Sequence, residues 1–191
     1  LYISPLKALA ADVERNLRSL LVGIGHDSVR LGLPAPQITV AVRSGDTPAD
    51  QRRVFAREPS DILITTPESL FLLLTSAARE ALAGIETVII DEIHALAGGK
   101  RGAHLALSLE RLDTLLPKPA QRIGLSATVR PIDEVGRFLA GGRAVTIVNP
   151  PSEKSWDLAV VVPVPDLGSL GEVTGDLSGP AAGAEQRTSI W

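Results

Sequence analysis

Aliphatic residues come along this chain in short unbroken runs, separated by stretches in which they recur every third or fourth position. The runs at 1–4 ("LYIS"), 37–46 ("QITVAVRSGD", ending in a turn), 61–66 ("DILITT"), 87–91 ("TVIID"), 122–128 ("RIGLSAT") and 144–149 ("AVTIVN") predict strands. Each is continuous rather than alternating, as in strands covered on both faces. Between them, residues 6–22 set Leu6, Leu9, Val13, Leu17, Leu20 and Leu21 at helical spacing. Residues 47–57 predict a helix with Thr47 as N-cap and Pro48 in its first turn. Further helices are predicted from Pro67 through "PESLFLLL", over 78–84 with Gly84 as C-cap, over 102–116 up to Pro117, and over 131–140.

Strands alternating with helices give an α/β fold, a mostly parallel sheet with helices on both faces. The pattern changes after Pro150 and Pro151. Residues 157–166 carry Pro163 and Pro165, which confine a strand there to a sheet edge. Residues 167–187 are rich in Gly, Ser and Ala and read as a linker. The expected division is therefore a domain over 1–150 and an edge strand with linker over 151–191.

Composition narrows the classes. Of 191 residues, 45% are hydrophobic and only 3% aromatic, so a broad platform of stacked rings for nucleic acid is excluded. A net charge of −3 means that any nucleic acid must be met by a local groove. The chain has no cysteine, which excludes thiolate metal sites and fits a reducing cytoplasm. No run of 18 apolar residues offers a membrane span. Methionine is absent even at position 1, so the sequence reads as cut from a longer protein.

Candidate chemistry gathers where strands end. In an open parallel sheet, ligands bind at the carboxyl ends of the strands. Ser4-Pro5, Thr65-Thr66, Asp91-Glu92 and Ser126-Ala127-Thr128 all fall at such ends. An Asp there suits a hydrated Mg²⁺ that also binds phosphate oxygens. A neighbouring Glu suits proton transfer from water attacking a γ-phosphate. Taken alone, the acid pair reads first as a solvated strand end, and "TTPES" as an ordinary capped helix start. Arg52, Arg53 and Arg57 read as one exposed helix face, and Lys100-Arg101 as a solvated basic turn.

The order of "YISPLKAL", "RSGDT", "TTPESL", "VIIDEIHAL", "KRGAHL" and "SATV" resembles the motif series of superfamily 2 helicases, and more narrowly the large helicase-related (Lhr-type) ATP-dependent DNA helicases. The resemblance implies a RecA-like P-loop NTPase fold, with ATP and Mg²⁺ as ligands. It implies that Asp91 holds Mg²⁺ through water, that Glu92 polarises the attacking water, and that His94 with Ser126, Ala127 and Thr128 couples hydrolysis to a second RecA-like domain. It also implies that Pro5, Lys7, Arg43, Gly45, Asp46, Thr66, Pro67, Glu68 and Ser69 meet single-stranded DNA, with RNA or an RNA–DNA hybrid as alternatives.

One part of the family's pattern is missing: no GxxxxGK[ST] phosphate loop occurs in the sequence, so the domain is expected to be truncated at its N-terminus and inactive alone. Two rivals stand beside the helicase reading. One is a nucleic-acid-binding or interaction module without ATPase activity; the other is a nucleotide hydrolase that meets no nucleic acid.

Overall fold

The computed structural model describes residues 1–127, 129–150 and 157–158, and Leu1–Val148 form one compact unit. Five strands build one sheet: β1 (Tyr2–Ile3), β2 (Val40–Arg43), β3 (Ile62–Thr65), β4 (Thr87–Ile90) and β5 (Gln121–Gly124). Their order is β2-β3-β1-β4-β5, and every neighbouring pair is parallel. The α/β class read from the sequence is the one the chain adopts. Register sets Tyr2 opposite Ile64 and Ile89, and Ile3 opposite Thr65 and Ile90.

The helices are α1 (Lys7–Arg30), α2 (Ala49–Arg57), α3 (Pro67–Leu74), α4 (His94–Ala97), α5 (Lys100–Leu115) and α6 (Ile132–Ala140), with a 3-10 turn at Ala77–Leu82. Right-handed crossovers put α1, which leads outward from β1 to β2, on the face opposite α3 and α5, which lead the other way. The main core lies under α3 and α5. There Ile3, Val88 and Ile90 meet Leu70, Leu73, Leu105, Leu109 and Leu112, all at most 2% exposed. The other face is thinly covered. Ala10 alone is buried in α1, and Tyr2, Ile89 and Ile123 stay half-buried.

Several elements depart from their expected bounds. Helix α1 runs past Gly23 and Gly25 to Arg30; in its last turns Ser28 Oγ donates to Ile24 O at 2.8 Å and Asp27 pairs with Arg30. Thr47 does not cap α2. Its hydroxyl accepts from Ser44 N at 2.8 Å, tying down the preceding turn, and Pro48 takes the cap position. The segment expected as a helix over 78–84 is the 3-10 turn, capped by Ser76, with Ala83 rather than Gly84 as its C-cap. Residues 144–149 are no strand: Val145 and Ile147 lie beside Gly136 of α6 but stay exposed, and Val148 is 84% exposed. Of the expected edge strand over 157–166, all but Asp157 and Leu158 lie outside the described residues, as does the linker over 167–187.

Candidate active site and nucleic-acid rim

Strand β4 ends at Ile90, and the chain turns sharply at the two acids. The Asp91 amide still donates to Ile3 O at 2.9 Å, so Asp91 keeps its place against β1. Glu92 then takes φ +46, in the left-handed region that non-glycine residues seldom occupy. Its amide donates to Asp91 Oδ1 at 2.9 Å. The second oxygen, Oδ2, accepts from the Tyr2 hydroxyl at 2.7 Å. Burial, and after it the hydrogen bond to Asp91, pushes the Tyr2 hydroxyl well above its ordinary pKa.

From Glu92 the contacts continue to the next strand exit. Ile93 N donates to Leu125 O at 3.0 Å, which draws the start of α4 onto the end of β5. His94 Nδ1 lies 3.3 Å from Glu92 Oε2 and 3.2 Å from Ser126 Oγ. Ser126 Oγ donates its proton to Ala127 O at 2.8 Å. Asp91, Glu92, His94, Ser126 and Ala127 thus form one connected string across two strands; Thr128 lies outside the described residues. The glutamate and histidine side chains are 42% and 31% exposed, open enough to meet a ligand.

The carboxylates suit magnesium held jointly with phosphate. Each Asp91 oxygen accepts one hydrogen bond, and a carboxylate oxygen has room for a second. Among the described residues, no three His, Cys, Asp or Glu side chains cluster into a protein-only cage. One or two carboxylates, with the rest from water and phosphate, is how magnesium is commonly bound.

The other strand exits form a rim. Thr66 caps α3: its Oγ1 accepts from Ser69 N at 3.4 Å and donates to Ser69 Oγ at 3.1 Å. Pro5, Thr66, Pro67 and Ser69 are buried, so they build turns and offer little side chain outward. Arg43 is also buried and donates to Ser44 O. Lys7, Gly45, Asp46 and Glu68 are the exposed candidates. Their charges come in pairs. Lys7 Nζ lies 2.7 Å from Asp46 Oδ2. Glu68 is gripped by Arg101 from the first turn of α5, through Nε to one oxygen and Nη2 to the other, which holds its carboxyl below the usual range.

Three residues in this region escaped the sequence reading. Tyr2 looked like one more apolar strand position. Arg52, expected on an exposed face, donates to Thr47 O at 2.6 Å and Gly45 O at 2.7 Å, clasping the 44–47 turn. Arg101, expected in a solvated turn, holds Glu68. Only the last had a signal, a basic residue opening a helix.

The parallel sheet, with an acid pair at the β4 exit and a histidine joined to the β5 exit, is a RecA-like core. The DEAD/DEAH box helicase family model matches residues 1–135, and the chain belongs to that family. Within it, the chain is 68% identical over 170 residues to the Lhr helicase/probable uracil glycosylase of Mycolicibacterium smegmatis, covering 89% of this chain and 11% of that protein. It is 56% identical over 191 residues to the Lhr helicase/uracil glycosylase of Escherichia coli, covering 100% of this chain and 12% of that protein. The Lhr-type resemblance therefore stands. A solved structure of Mycobacterium smegmatis helicase Lhr, bound to ssDNA and AMP-PNP, matches with TM-score 0.80 at 67% identity, over 90% of this chain and 22% of that one. The chain spans about a tenth of the length of these curated relatives. Among the described residues, no helix is long and apolar enough to cross a membrane.

Proposed function

We propose that residues 1–150 form part of the first RecA-like domain of an ATP-dependent helicase that moves on single-stranded DNA in the cytoplasm, with 151–191 leading to a second RecA-like domain. Asp91 would hold a hydrated Mg²⁺, which would supply charge neutralisation on the triphosphate. Glu92 accepts a hydrogen bond from the attacking water and takes up its proton as the bond to the γ-phosphorus forms and the bond from that phosphorus to the bridging oxygen breaks, leaving ADP and phosphate. His94, Ser126, Ala127 and Thr128 relay the state of that water-binding acid to the second domain. Lys7, Gly45 and Asp46, with the turns built by Pro5, Arg43, Thr66, Pro67, Glu68 and Ser69, meet the DNA backbone, where helix starts offer unpaired N–H groups to phosphate.

The observation that carries this reading is the string from Asp91 through Glu92 and His94 to Ser126. It joins the water-polarising acid to the neighbouring strand exit, as a coupling device requires. In the complete helicase, Glu92→Gln should lower kcat for ATP about 100-fold or more, the usual weight of a general base, while AMP-PNP binding stays near that of the parent. Undiminished turnover in that variant would overturn the proposal.

A further inference from the structure

Tyr2 and Asp91 are 89 residues apart, yet the tyrosine hydroxyl ends 2.7 Å from Oδ2 of the aspartate. The sheet explains the meeting. Tyr2 is paired with Ile89, and Asp91 lies two residues further on, so both side chains leave the same face. The bond from Asp91 N to Ile3 O fixes this register beyond the end of β4. Asp91 is thereby held at both oxygens, by a hydroxyl on Oδ2 and by the Glu92 amide on Oδ1.

Both donors are electrically neutral, which matters for a carboxylate that must attract a cation. A lysine or arginine at position 2 would fix the carboxylate equally well but offset its charge. A neutral hydroxyl orients it and leaves the full charge, with a further acceptor site on each oxygen. A phenylalanine would fill the same space on the half-covered face but leave Oδ2 free to rotate.

We propose that Tyr2 is a positioning residue for the metal-binding carboxylate: its hydroxyl locks Asp91 in the orientation that presents the unused acceptor sites to a hydrated Mg²⁺ on a nucleoside triphosphate. The inference rests on the assignment of Asp91 to magnesium made above. It extends the site from the acid pair back to the strand that opens the chain.

The test is Tyr2→Phe in the complete helicase, with Asp91→Asn beside it. Tyr2→Phe should raise the Mg²⁺ concentration for half-maximal ATP hydrolysis about tenfold, the lower end of what loss of a ligand's hydrogen-bonding partner costs in metal affinity. Its kcat at saturating Mg²⁺ should stay within about twofold, since no transition-state contact is removed. The same shift should appear without turnover, as about tenfold weaker Mn²⁺ binding in the presence of AMP-PNP, read by electron paramagnetic resonance. Urea midpoints of both variants check that folding is intact; a purely structural tyrosine would move that midpoint and leave the metal dependence alone. If Asp91→Asn loses Mn²⁺ while Tyr2→Phe binds it like the parent, the positioning role is wrong and the magnesium assignment stands. If neither variant alters Mn²⁺ binding, the assignment itself fails and the inference with it.

Discussion

Arg101, in the first turn of α5, grips the carboxylate of Glu68, in the first turn of α3, with one nitrogen to each oxygen. The two helices that cover the main core are therefore joined at the rim as well as through their apolar faces. The hydrogen bonds from Arg101 lower the Glu68 pKa. A carboxyl with a lowered folded pKa contributes stability above its ordinary range, near about 4.3, and loses it as the pH falls through the folded value. Both side chains are about half exposed, at 42% and 53%, so the pair is worth at most ~1 kcal/mol. Arg101→Leu should lower the urea midpoint at neutral pH, and the deficit should shrink as the pH falls below the ordinary glutamate range. A deficit that stayed constant across this range would show that the arginine acts through packing.

Arg52 makes two hydrogen bonds to the carbonyls of Gly45 and Thr47. A bond from a charged donor is worth about 1.5–3 kcal/mol to a buried partner, and less on this open turn. Arg52→Ala should speed amide exchange over Ser44–Thr47 about tenfold, equivalent to about 1.4 kcal/mol of local opening. The core amides of β4 should be unaffected. Slowed or unchanged exchange in the turn would remove Arg52 from any role in shaping the rim.

Gly102 is buried at the point where α5 passes α4. A Cβ there would sit 2.1 Å from Leu96 O and 2.7 Å from Leu96 C, both backbone atoms that cannot swing aside. Gly102→Ala should cost about 1–3 kcal/mol through forced displacement of α4. Gly98→Ala is the matched control, since a Cβ at Gly98 meets nothing within 4 Å. Equal urea midpoints for the two variants would contradict the close approach.

Strand β5 is at an edge of the sheet among the described residues. Gln121 N and Leu125 N donate to Glu86 O and Ile90 O. Strand period 2 turns the amides of Arg122 and Gly124 the other way. In hydrogen exchange those two should be at least about 100-fold less protected than Ile89 and Asp91, whose amides donate to Leu1 O and Ile3 O. Equal protection would mean that something pairs the outer side of β5.

What the sequence disclosed follows from how local each signal is. The strand–helix alternation, the Pro67 helix start and the placing of Asp91, Glu92 and Ser126 at strand ends depend on near neighbours, and all were legible. The partners of Tyr2 and Arg101 were not, because they stand 89 and 33 residues away and only the tertiary fold brings them together. Residues 144–149 misled for a related reason: an apolar run does not carry the partner strand a ladder needs, and here Val145 and Ile147 lie beside Gly136 with Val148 84% exposed. Thr47 illustrates the competition inside a turn. Its hydroxyl serves Ser44, so the helix it precedes starts without a side-chain cap.

The backbone at position 92 sits where few side chains rest easily. A saturation screen of that codon would therefore read two properties at once. Asparagine and glycine relax the main chain while removing the acid; valine and isoleucine strain it further. Glutamine alone changes one atom and keeps the shape, so among replacements it is the one whose phenotype reports chemistry without geometry.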